Sequence, residues 1–208
     1  MKSMNRFLAS FSYLFHPIVM PLLAISLYFL LTKEFFKPLE IVITFGQVLI
    51  MTFLLPITLY YFLRSMRLLK SSIMIESAKE RIIPILIYIA ILIILKDFVL
   101  KHNRTYEFNI YIWGSIYTYV LLLLSIYAKK KFSVHVAALT GCITFFTLLS
   151  VRYYVPNTII LNLLVLILGL TASSRLYFKA HNSSEIIFGF LFGMLPQIAF
   201  WYIAFYKI

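Results

Sequence analysis

The densest group of reactive side chains in this chain is Ser174-Arg175-Leu176-Tyr177-Phe178-Lys179-Ala180-His181-Asn182-Ser183-Ser184-Glu185, set between two long apolar runs. Arg175 offers a planar fork of donors suited to an anion. His181 is a nucleophile or an acid–base group near neutral pH. Glu185 follows His181 by four residues, a spacing that on a helix puts both side chains on one face within hydrogen-bond reach. A carboxylate there holds one ring nitrogen protonated and leaves the other free to attack. This is the base-plus-orienter arrangement of hydrolytic triads, with histidine as the attacking group.

Two further groups carry charge beside apolar runs. In Lys131-Phe132-Ser133-Val134-His135, Ser133 stands where a helix begins, and its hydroxyl together with the free amides of that helix end makes an anion seat. In Lys79-Glu80-Arg81-Ile82-Ile83-Pro84, Lys79 and Arg81 place two cationic side chains just ahead of an apolar run.

Ser-Arg, five residues, His, three residues and an acid resembles the third signature of the type-2 phosphatidic-acid phosphatase superfamily, with Glu185 where Asp is usual. Ser174 and Arg175 open that signature. Ser133 and His135 hold the serine and histidine places of the second signature, with Phe132 for its Pro and Val134 for its Gly. The first signature, Lys, six residues, Arg-Pro, is not matched: with Arg81 in the Arg place, the Lys place falls on Met74. The resemblance covers about residues 79–193 and is to divergent bacterial members. It implies an integral-membrane lipid phosphatase of the bacterial inner membrane that works without cofactor or metal. His181 would attack phosphorus, and His135 would protonate the leaving oxygen and then take a proton from water. Glu185 would stabilise the imidazolium, while Arg175, Ser133, Lys79, Arg81 and Ser174 would hold the phosphate. The implied substrates are membrane phospholipids or isoprenyl phosphates, among them phosphatidic acid, phosphatidylglycerophosphate, an isoprenyl pyrophosphate or a lipid A phosphate.

These groups need a lipid-embedded scaffold. Of 208 residues, 62% are apolar and only 12% charged, with a mean hydropathy of +0.95. No soluble core hides so much apolar surface, so the solvent of this chain is lipid. A span needs roughly 20 apolar residues. Seven segments qualify, at 11–32, 40–63, 82–99, 108–127, 133–151, 156–173 and 186–206, or six if the first run does not span. The sequence therefore predicts an all-α bundle of about seven transmembrane helices forming a single domain over 1–208. The opening run extends too far for a cleaved signal peptide and reads as a retained span. His16-Pro17 and Pro21 interrupt it, so its first turn belongs in the interface or re-enters. The stretch 64–81 alternates basic and apolar residues and reads as an amphipathic helix on the membrane surface.

With seven spans, the N-terminus and the connectors 64–81, 128–132 and 174–185 share one side, so every chemical group gathers at one face. That side carries more Lys and Arg than the other, although the excess shrinks once Lys79, Arg81 and Arg175 are set aside for chemistry. The balance leans toward the cytoplasm. A net charge of +12 fits anionic headgroups or phosphate. Nucleic acid is rejected as a partner because no soluble domain presents a basic face. His16 and His102 lack an acid at helical spacing in a matching motif and read as structural. Cys142, the only cysteine, reads as a small buried apolar residue. Gly189 and Gly193 form a small-xxx-small pattern, read as packing against a neighbouring span. The alternative function is a catalytically degenerate relative that binds lipid or serves as a subunit with partners in a membrane complex. A transporter is disfavoured by the few intramembrane charges and the absence of paired broken helices.

Overall fold

The computed structural model describes residues 8, 10–67, 79–100 and 104–206, with Lys79 described by its backbone alone. Lys2, Arg6, His102 and most of the expected surface helix, residues 68–78, lie outside the described residues. Seven helices are long and apolar enough to cross a membrane, and no strand occurs among the described residues. The protein is an all-α integral membrane protein.

Prolines set where several spans begin. The backbone is helical at 10–14 and breaks at His16-Pro17 into a 3₁₀ turn, Pro17–Val19, before helix α1, Met20–Thr32. Proline suits such starts because the N–H it lacks would have no partner in the first turn. The first span therefore runs from Pro17 to Phe35, later than the sequence alone places it. Pro38 opens α2, Pro38–Leu49. That helix passes through a π segment, Ile50–Leu54, into α3, Leu55–Ser65, where Pro56 occupies the first turn. A proline ring inside a helix collides with the carbonyl four residues earlier, and one wide turn relieves the collision. The next span is α4, Ile82–Ile94, which ends in a second π segment, Leu95–Val99. The remaining four are α5, Tyr106–Tyr127; α6, Val134–Arg152; α7, Thr158–Tyr177; and α8, Ser183–Tyr206.

Helix α6 is the axis of the bundle. It is the most buried span, and it packs against α1, α5, α7 and α8. The tightest seam lies between α6 and α8, where Gly193 sits so close to Ala137 that a Cβ would fall 2.1 Å from the Ala137 carbonyl oxygen. Gly189 approaches the Ser133 carbonyl oxygen in the same way, at 2.8 Å. The small-xxx-small pattern is thus an internal helix contact. Pro196 interrupts α8 and leaves the Phe192 carbonyl without its helical donor; the Thr118 hydroxyl of α5 lies 2.9 Å from that oxygen. Neighbouring Gln197 donates to the Tyr111 carbonyl at 3.1 Å. The Thr118 hydroxyl, which lies equally close to the Gly114 carbonyl of its own helix, is thereby shared with the carbonyl freed at the proline kink.

Candidate functional site

The three charged groups of the sequence meet at one end of the bundle, together with the N-terminal segment. The Arg81 guanidinium lies 3.5 Å from the Phe132 carbonyl, and the Ser133 amide donates to the Glu185 carbonyl at 3.1 Å. The Lys131 ammonium donates to the Ala180 carbonyl at 3.3 Å. These contacts fix the turn before α4, the start of α6 and the α7–α8 connector against one another.

His181 and Glu185 are hydrogen-bonded, with Nδ1 2.8 Å from Oε2. The helical face expected from their spacing is not what joins them, because His181 precedes α8 and lies in the connector. Asn182 is the N-cap: its side-chain oxygen accepts from the Glu185 amide at 2.9 Å, while Glu185 Oε2 accepts from the Asn182 amide at 3.3 Å. This reciprocal capping box favours a Glu at the third helical position. His181 Nδ1 also lies 3.1 Å from the Lys131 carbonyl. Both of its neighbours are acceptors, so Nδ1 carries the proton and Nε2 keeps the lone pair. The His181 pKa is pushed down from its ordinary 6.5 to about 4. Burial is the main cause; Arg81 and Arg175 add to it, and the Glu185 carboxylate opposes them.

The remaining charged side chains stand beside a cavity of about 350 Å³. Its polar end is formed by Arg81, Arg175, His135 and His16. Its other walls are apolar and come largely from the π segment Ile50–Leu54, α3 and α4, including Phe53, Pro56, Ile57 and Ile85. Arg81, His135 and Arg175 are buried, with exposures of 9%, 8% and 7%. Both arginines lie within electrostatic reach of both the His135 and the His181 rings, and the two rings are within reach of each other. His135 Nε2 is buried without a hydrogen-bond partner among the described residues, an expensive condition for a polar atom unless a ligand completes it.

Several sequence-predicted site residues have other engagements. The Ser133 hydroxyl caps α6, accepting from the Val136 amide at 3.4 Å, and does not line the cavity. The Ser174 hydroxyl donates to the Leu8 carbonyl at 2.8 Å, so at its 2.8 Å contact with Ser12 it is the acceptor; it ties α7 to the N-terminal segment. Lys79 heads the 3₁₀ turn Lys79–Arg81, and its side chain lies outside the described residues. His181 is buried next to the cavity and is not among its lining residues.

His16, read from sequence as structural, joins this site. It lines the same cavity, with its ring centroid 5.1 Å from that of His135 at an interplanar angle of 90°. The only sequence signal was its place beside Pro17, which breaks the opening run at the membrane face where the other groups gather. No family model, curated protein or solved structure matches this chain.

Proposed function

We propose that this protein is a membrane lipid phosphatase of the type-2 phosphatidic-acid phosphatase kind, hydrolysing a phosphate or pyrophosphate ester of a lipid through a phosphohistidine. The observation that carries this reading is the meeting of Arg81, Arg175 and His135, beside the His181–Glu185 pair, at the polar end of an otherwise apolar cavity. A lipid reaching it sideways between helices places its chain against α3 and α4 and its phosphate between the guanidinium groups.

Nε2 of His181 attacks phosphorus in line, forming the N–P bond as the P–O bond to the lipid breaks. His135, taking its proton beside the incoming phosphate, gives it from Nε2 to the departing oxygen. Water then attacks phosphorus, His135 accepts a proton from that water, and the N–P bond breaks to release phosphate and restore His181. Arg81 and Arg175 hold the equatorial oxygens and offset the charge that gathers on them. Glu185 steadies the imidazolium that attack creates at His181. The charge stabilisation rests on guanidinium and imidazole groups, so turnover in chelator is expected.

A second reading, a lipid-binding subunit of a membrane complex, draws on the deep burial of the His181 side chain, which is 1% exposed. One experiment separates the two. Purified protein in chelator is offered dioctanoyl phosphatidic acid, phosphatidylglycerophosphate, farnesyl diphosphate and a lipid A phosphate, and released phosphate is measured. The phosphatase reading expects release from at least one, abolished in His181→Ala. Folded protein that releases none supports the subunit.

A further inference from the structure

His16 caps the turn ahead of the first span and His135 lies in the first turn of α6, yet their rings meet edge to face at the polar end of the cavity. His16 Nδ1 accepts from the Ile18 amide at 3.4 Å, capping the Pro17–Val19 turn. A neutral imidazole that accepts at Nδ1 carries its proton on Nε2, so the remaining nitrogen of His16 is a donor. Beside it, buried His135 Nε2 has no partner among the described residues. Arg81 and Arg175 line the same end, so a bound phosphate held by the arginines brings its lipid-bearing oxygen to a wall that presents two imidazoles.

We propose that His16 is a second leaving-group residue, whose Nε2–H donates a hydrogen bond to the lipid-side oxygen of the scissile bond while His135 transfers the proton to it. This rests on the phosphatase reading. His16 forms no bond to phosphorus and gives up no proton. It steadies negative charge as the P–O bond breaks, and His135 remains the acid. The donor belongs to the N-terminal segment, outside the three groups that the sequence motifs single out.

The test uses two variants of the full chain. His16→Asn keeps an acceptor for the Ile18 amide, since Asn is a good cap, and removes the ring. His16→Phe keeps a ring against His135 and removes both nitrogens. Each should lower turnover of dioctanoyl phosphatidic acid on the order of 100-fold, the usual loss for one preorganised donor. Turnover of p-nitrophenyl phosphate, whose leaving group needs no such help, should fall less than about threefold on the same grounds. Equal losses on both substrates, or wild-type rates on the lipid, would overturn the proposal. A readout without turnover uses ¹⁵N-histidine protein titrated with orthovanadate. The proposal expects the His16 and His135 ring signals to shift with one midpoint. A shift at His135 with none at His16 rejects the proposal and leaves the phosphatase reading standing. A wild-type protein that turns over no lipid phosphate rejects that reading, while the ring signals still decide whether His16 contacts the anion. No shift in any ring removes both.

Discussion

His181 is the residue whose surroundings most determine its chemistry. With its pKa pushed down to about 4, the ring is neutral at pH 7 and its Nε2 lone pair is available. The unfolded chain takes up this proton near pH 6.5. Between about pH 6.5 and 4 the folded state therefore binds fewer protons than the unfolded state, and the contribution of His181 to stability is lost as pH falls through that window. The charges around the ring give signed predictions for its titration, followed by histidine-labelled NMR. Arg81→Gln removes a nearby cation and should move the midpoint up, whereas Glu185→Gln removes the stabilising carboxylate and should move it further down. Movement in the opposite direction in either variant would mean that the ring responds to something other than these two neighbours. In the functional assay, His181→Ala should abolish phosphate release. The pairing with Glu185 was legible in the sequence from spacing alone, but its cause was not. The contact is made by a capped connector, and the Asn182-x-x-Glu185 box that builds it is local sequence chemistry rather than a shared helix face.

At the scale of elements, the site depends on how closely α8 approaches α6. Gly193 lies against the Ala137 backbone, and Gly189 against Ser133 at the start of α6. A Cβ at Gly193 meets main chain, which cannot rotate away, so Gly193→Ala must push the helices apart. The expected loss is at the upper end of overpacking effects, about 3 kcal/mol, read as a lowered unfolding midpoint in detergent. The Glu185–Ser133 contact should loosen with it, and turnover should fall even though Gly193 touches none of the site residues. The proline kink in α8 gives a milder case. Thr118→Val keeps side-chain shape but removes the hydroxyl facing the Phe192 carbonyl, and a buried acceptor left unsatisfied costs about 1–3 kcal/mol. A Thr118→Val protein as stable as the parent would show that the kink is satisfied in some other way. From sequence, Pro196 and the glycines were visible, and packing of the small residues against a neighbouring span was expected. Their partners on α5 and α6 were not, because a partner across a helix interface is set by crossing angle and register.

Across the whole molecule, the candidate site and a structural brace lie at opposite ends. The end away from the site is closed by a buried polar knot. Glu107 of α5 accepts from the Tyr28 hydroxyl at 3.2 Å and the Tyr153 hydroxyl at 2.9 Å, and Arg152 lies 3.4 Å from its Oε1. The knot joins α1, α5 and the C-terminal end of α6, so it braces the bundle at the far end of its axis. Glu107→Gln removes the charge from these hydrogen bonds and should lower stability by about 1.5–3 kcal/mol, the range for hydrogen bonds to a charged group. Turnover per folded molecule should stay at the parental value. Reduced turnover at full folding would show that the two ends communicate through α6. The cavity beside the site is walled largely by α3 and α4, and Phe53 of the π turn ahead of Pro56 belongs to that wall.

Composition and hydropathy by themselves determined that this chain is a helical membrane protein with about seven spans, because apolar runs of roughly 20 residues cross lipid as helices that satisfy their own backbone hydrogen bonds. The span count also determined that the motif-bearing connectors share a face, since each crossing reverses the chain. Only the tertiary structure decided which side chains at that face meet in the cavity. It brought in His16, engaged Ser133 and Ser174 in capping and ties between segments, and left His181 off the cavity lining. Those outcomes depend on helix rotation, on a break at His16-Pro17 and on the approach of backbones at Gly189 and Gly193. Apart from the Ser133 cap and the proline break, these are contacts between residues far apart in the chain, and local spacing carries no measure of them.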